Sequence, residues 1–123
     1  MDSAKWTVHL MEKMNLEGTE NFHVKISPWN LSKLCESMAE NLSNTFPFPN
    51  DCFPTSDGNL QMEWLYGDVD STLDINLSSL SSHFHSYNNE TEEEVGFMLD
   101  LEKKEDWKKL VKSINAIKLK SEL

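Results

Sequence analysis

The sequence predicts an α+β fold with N-terminal helices, a four-stranded antiparallel meander and a C-terminal amphipathic helix packed on one sheet face. Three patterns support this prediction: a Ser-Pro helix start at residue 27, alternation of apolar and polar residues through residues 58–101, and helical spacing after residue 102. The 123 residues fit one domain. Four Trp, six Phe and six Met supply a core.

Residues 1–44 form the predicted helical part, and its first element is open to two interpretations. Trp6 and Leu10 lie four residues apart, as on a helix, yet Trp6, Val8 and Leu10 also alternate, as on a strand. We favour a helix over residues 4–17, because Gly18 would follow as its end.

The second helix has a clearer start. Ser27 offers an N-cap oxygen, and Pro28 occupies the first helical position, where its missing N–H is not needed. An apolar stripe carries the predicted helix to about residue 43. The residues of this stripe are Leu31, Leu34, Cys35, Met38 and Leu42.

Residues 45–57 contain three prolines and are predicted to be a loop. We expect its aromatic side chains, Phe46, Phe48 and Phe53, to lie back on the core. Cys52 of this loop is a candidate for exposure, whereas Cys35 belongs to the helical stripe. Two reduced thiols fit the expected cytoplasmic location better than a disulfide does.

Residues 58–101 are predicted to form the sheet. Its strands cover residues 60–66, 72–77, 82–87 and 94–101, and short turns make consecutive strands pair antiparallel. One face is then buried and the other faces water. The inward positions of the last strand are Val95, Phe97, Leu99 and Leu101.

Residues 102–120 are predicted to form the closing helix. Acidic residues occupy its first turns and lysines cluster later, which matches the helix dipole. Its apolar stripe consists of Trp107, Leu110, Val111, Ile114 and Ile117.

The turn into the first predicted strand carries a family resemblance. Residues 54–64 read PTSDGNLQMEW, and with the strand DSTLDINL and the helix entry KISPWNLSKL they resemble a widespread family of small acidic bacterial proteins of unsettled function. That family has an Asp-Gly-Gly turn before a strand of aliphatic-Gln-apolar-Glu-Trp. Here Asn59 replaces the second glycine. The resemblance implies this order of elements and a bacterial origin, but no activity and no catalytic residue.

Charge is distributed unevenly along the chain. The net charge is −10 with no arginine, and residues 34–101 hold 13 carboxylates and no lysine. Nucleic acids and anionic membranes attract lysine and arginine, so neither is an expected partner. A negative region speeds encounter with a basic protein. The competing interpretation is a solubilising surface. No apolar run has the ~18–20 residues of a membrane span, and the N-terminus lacks a signal-peptide layout, so we expect a cytoplasmic protein.

His83 and His85 lie two residues apart on a predicted strand, so their imidazoles share one face. Such a pair is half of a common metal site, which Asp74 or Glu94 would complete. Alternating polar residues are also ordinary on a wet strand surface, and we predict neither a metal nor another cofactor. No nucleophile elbow or phosphate-binding loop is present in the sequence, so we do not expect an enzyme.

The water-facing side of the sheet and its adjacent turns form the candidate partner-binding site. Carboxylates pair with basic residues of a partner, and tyrosine is enriched at interfaces. The candidate residues are Glu63, Asp68, Asp70, Asp74, His83, His85, Tyr87, Glu92, Glu93 and Glu94.

The functional hypothesis is an acidic protein-binding module that neutralises a basic protein. A nuclease toxin must bind an anionic substrate, so its cleft is rich in lysine and arginine. A compact acidic monomer that plugs this cleft in a 1:1 complex would be an immunity protein or antitoxin. The alternatives are a structural or regulatory adaptor with no inhibitory role, and a small metal-dependent enzyme.

Overall fold

The computed structural model describes Leu10 and residues 27–123, which form an α+β fold with five strands. The sheet is antiparallel, and neighbouring strands follow chain order. The elements are α1 (Pro28–Asn41), β1 (Asp51–Pro54), β2 (Leu60–Tyr66), β3 (Val69–Ile75), β4 (Ser81–Asn88), β5 (Glu94–Asp100) and α2 (Lys104–Ser121). The predicted helix over residues 4–17 lies outside the described residues except for Leu10, which is helical and buried.

Helix α1 begins where the Ser-Pro pair predicts. The Ser27 hydroxyl accepts a hydrogen bond from the Asn30 backbone N–H at 3.3 Å, which satisfies a donor that the first turn leaves unpaired. The helix ends at Asn41 rather than near residue 43, because Leu42 already has an extended backbone. Its buried side chains are Leu31, Leu34, Cys35 and Met38.

Strand β1 corrects the prediction that residues 45–57 are only a loop. Asp51–Pro54 pairs with β2, and Cys52 is buried at 0 % exposure while Phe53 is 39 % exposed. Cys52 is therefore not exposed, and Phe53 does not lie on the core. The strand tolerates Pro54 because β1 is an edge, where a missing N–H breaks no ladder. Phe46 is buried as expected, and Phe48 packs against the core.

Helix α2 closes the fold as the sequence predicts. It buries Trp107, Leu110 and Ile114 and contacts β2, β5 and α1. The indole N–H of Trp107 donates to the Leu101 carbonyl at 2.7 Å and to the Ser37 hydroxyl at 3.0 Å, which fixes α2 against the end of the sheet and against α1. In the part of the chain described, neither helix combines the length and apolar character of a membrane span.

Candidate partner-binding face

The outer face is the side of the sheet that points away from the core. Side chains alternate along each strand, so Met62, Trp64, Leu73 and Phe84 are buried on the opposite side. The outer face is formed by Asp51, Phe53, Gln61, Glu63, Leu65, Asp70, Thr72, Asp74, Ser81, His83, His85, Tyr87, Glu94, Gly96, Met98 and Asp100.

The strand register brings seven of the candidate residues together on this face. One row runs across the strands from Gln61 through Asp74 and His83 to Met98. The next two rows are Glu63, Thr72, His85 and Gly96, and then Leu65, Asp70, Tyr87 and Glu94. Asp70 therefore belongs to β3 rather than to a turn.

The remaining candidates lie at the ends of two hairpins. Asp68 is in the β2–β3 turn, and its carbonyl accepts from the backbone N–H and the side-chain Nδ2 of Asn89, at 2.8 and 3.0 Å. Asn89 Nδ2 also donates to Asp70 Oδ2 at 3.2 Å. One asparagine thus ties the β4–β5 turn to both acids of the neighbouring hairpin.

The acidic run of residues 92–94 does not act as one surface. Glu92 is at the tip of the turn with a positive φ of 65°, and Glu94 is on the outer face. Glu93 instead lines a cavity of about 410 Å³ beside the last turns of α2, together with Glu90 and Lys120. Neighbouring carboxylates therefore point to three different environments.

The two histidines meet across a glycine on β5. Their ring centroids are 6.4 Å apart, and a Cβ added at Gly96 would lie 3.5 Å from His83 Nε2 and 3.8 Å from His85 Cδ2. His85 Nε2 pairs with Glu94 Oε1. Among residues 27–123 and Leu10, no group of three or more metal-ligating side chains is placed to hold an ion.

Charge on the outer face has one sign. Apart from the two histidines, its ionisable groups near neutral pH are the carboxylates of Asp51, Glu63, Asp70, Asp74, Glu94 and Asp100. The lysines of α2 are on an element that packs on the other side of the sheet. The carboxylates of the outer face and the lysines of α2 therefore lie on opposite sides of the sheet, apart from the cavity where Lys120 lies near Glu90 and Glu93.

Exposed apolar groups accompany these carboxylates and were not among the candidate residues. Met98 is 64 % exposed, Leu65 is 45 % exposed, and Phe53 lies at the far end of the row that contains Met98. Alternation along the predicted strands already assigns Leu65 and Met98 to the water-facing side. Phe53 lies on that side only because residues 51–54 form β1, which the sequence did not predict. Val95, predicted to face inward, is 51 % exposed because it lies on an edge strand beside the cavity.

No family model, curated protein or solved structure matches this chain. The resemblance carried by residues 54–64 therefore remains a prediction. The functional proposal depends on the outer face alone.

Proposed function

We propose that this chain is a cytoplasmic acidic binding protein, with no enzymatic activity of its own, that neutralises a basic protein in a 1:1 complex, as an immunity protein or antitoxin blocks a nuclease toxin. The observation that supports the proposal is the one-sign outer face, on which exposed Leu65 lies opposite Asp70 and exposed Met98 lies beside Asp100 on the same strand. Apolar anchors supply contact area, and the surrounding charges select a basic partner and speed its arrival.

The negative charge of this face is complementary to the positive charge expected of a nuclease cleft. A cleft that binds phosphates presents lysine and arginine side chains, and a carboxylate accepts the bidentate hydrogen bonds that arginine offers. Glu63 and Asp74 are on adjacent strands one row apart, near the middle of the five-stranded sheet. Charges at the centre of a contact lose most water on binding, so they have the largest effect on affinity.

The test is charge reversal at the centre of the outer face. We expect the double variant Glu63→Lys/Asp74→Lys to bind a basic nuclease encoded beside this gene about 100-fold more weakly, and to lose protection of cells that co-express the nuclease. Each reversal removes an attractive pair and adds a like-charge contact. Isothermal titration calorimetry and cell survival measure the two effects.

The matched control is Glu36→Lys/Glu40→Lys on α1, where both side chains are exposed and the change of net charge is the same. We expect this control to bind within about threefold of the parent protein, because exposed single charges contribute less than about 1 kcal/mol. Equal loss in both variants would show that only net charge matters. Full protection by the outer-face variant would contradict the proposal, and binding without protection would favour the adaptor.

Association should be faster at low ionic strength. Exposed charges are screened over roughly 8 Å at physiological salt, so raising the salt concentration should lower the association rate constant much more than it raises the dissociation rate constant. Stopped-flow mixing with the nuclease measures both constants. An association rate constant that does not change between low and high salt would contradict electrostatic steering.

A further inference from the structure

Among the described residues, strand β5 is an open edge of the sheet. Asn88 N–H donates to the Glu93 carbonyl and Leu101 N–H donates to the Leu80 carbonyl, each at 2.9 Å. These two bonds fix which residues of β5 pair with β4, because hydrogen-bonded positions alternate along an antiparallel strand. Odd-numbered residues bond to β4, so Glu94, Gly96 and Met98 direct their backbone N–H and C=O groups away from the sheet.

The open stretch has a defined end. The N–H of Asp100, which also points outward, donates to Asp106 Oδ2 at 2.6 Å, so the start of α2 covers this position. Gly96 and Met98 are exposed. Three consecutive outward positions therefore have no strand beside them in the part of the chain that the structure describes, and they can form a ladder of hydrogen bonds.

Apart from the carboxylates of Glu94 and Asp100 at its two ends, this edge lacks the features that usually protect a sheet from pairing. Edge strands are commonly short, carry lysine or proline, or contain a bulge. Strand β1 is short and contains Pro54, whereas β5 has seven residues without lysine or proline, paired to β4 in continuous register. Of the two edges that the structure describes, only β5 therefore offers a long ladder.

Charge identifies what kind of strand fits. If a second copy paired antiparallel about Phe97, Glu94 of each chain would lie opposite Asp100 of the other, and like charges directly opposite are destabilising. The adjoining turn adds Glu90, Glu92 and Glu93. A strand with lysine or arginine opposite Glu94 would instead pair with the Glu94 carboxylate.

If a strand is added beside β5, its side chain opposite Gly96 has a specific place to lie. Glycine adds no side chain beside His83 and His85 on the outer face, and a Cβ there would lie in ordinary van der Waals contact with both rings. A large side chain from the incoming strand can cover this glycine, as aromatic residues do across edge glycines in sheets. The edge therefore favours an aromatic residue opposite Gly96 and a basic residue opposite Glu94.

We propose that β5 binds an extended basic segment of the partner protein as a sixth, antiparallel strand. This inference rests on the proposed function for the basic character of the partner, and it adds the mode of contact. Backbone hydrogen bonds to Glu94, Gly96 and Met98 supply affinity, and the alternate side chains supply selectivity.

The first experiment uses the full chain and a labelled probe peptide, acetyl-Lys-Thr-Val-Trp-Val-Lys-Lys-amide, in fluorescence anisotropy. Its Trp is designed to lie opposite Gly96, and the Lys two residues later lies opposite Glu94. N-methylation of the Trp nitrogen should weaken binding about tenfold or more, because this N–H donates to the Gly96 carbonyl. N-methylation of the following Val should change binding less than about threefold, because its N–H points away from β5.

Three results would overturn the edge proposal: no binding of the unmodified peptide, an equal effect of the two methylations, or a reversed order of the two. Self-association of the chain in sedimentation, competed by the peptide, would assign the edge to a second copy and would also overturn it. None of these measurements uses a nuclease, so their outcome is separate from that of the proposed function.

A variant of the protein connects the two proposals. Gly96→Pro removes an outward N–H and keeps the ladder to β4, so it should fold, as thermal melting would show, and should lose protection against the nuclease. Protection by Gly96→Pro together with loss of protection by Glu63→Lys/Asp74→Lys would overturn the edge and retain the proposed function. If Gly96→Pro does not fold, the N-methylated peptides decide alone.

Discussion

Replacing Trp64 with alanine is expected to lower the free energy of unfolding by about 3–5 kcal/mol. The Trp64 side chain is 1 % exposed and stacks on Phe46 with ring centroids 6.1 Å apart. Its indole N–H donates to the Pro47 carbonyl at 3.1 Å, so the indole fastens the segment before β1 to β2. Alanine would leave a cavity and a carbonyl without its donor. Urea unfolding followed by circular dichroism measures the change.

The controls for this variant are Asp74→Asn and His85→Ala on the outer face. Both should change the free energy of unfolding by less than about 0.5 kcal/mol, because surface substitutions remove little packing. A loss at Asp74 as large as that at Trp64 would mean that the two faces of the sheet are assigned the wrong way round.

Stability should also fall in alkaline solution because of one buried thiol. Burial, and secondarily the nearby Asp51 carboxylate and Cys35, raise the pKa of Cys52 from 9.0 to about 12. Above pH 9 the thiol ionises in the unfolded chain but stays protonated in the folded one. The unfolded state then binds fewer protons, so the free energy of unfolding should decrease by up to about 1.4 kcal/mol per pH unit between pH 9 and 12.

Comparison with Cys52→Ala isolates this effect. The variant should start less stable because a buried sulfur is lost, but its stability should depend less on pH above pH 9. Tyr66, whose pKa is also raised by burial and by Glu122, remains in both proteins and contributes equally. Urea unfolding at several pH values measures the two slopes. Parallel slopes would contradict the assignment to Cys52.

Local patterns predicted much of the fold. Ser27 and Pro28 located the start of α1, and the stripe through Trp107 and Ile114 located α2. Each of these signals acts within a few residues of the chain. Strand alternation likewise sorted the outer face from the core, because the period of two is a property of the strand itself.

The wrong predictions concern properties that depend on residues outside a single strand. β1 was not predicted because residues 45–57 contain three prolines, which are typical of a loop. Proline is allowed on an edge strand, but the sequence does not say which strand will be an edge. Val95 occupies an inward position, yet the neighbouring elements leave it half-exposed. Glu93 and Glu94 are adjacent in the sequence, yet alternation continues into the turn and places them on opposite sides of the sheet. Burial depends on the neighbours that the topology supplies.

The difference between the two edges of the sheet limits how many chains can assemble by pairing edge to edge. A subunit with two open edges can join copies head to tail into an unending filament. Here the β1 edge ends at Pro54, which has no N–H to continue a ladder, and only β5 offers a long row of hydrogen-bonding groups. A strand added at β5 therefore leaves no equivalent edge for polymerisation among the strands that the structure describes. An assembly built this way stops after one addition, which is consistent with the proposed 1:1 complex.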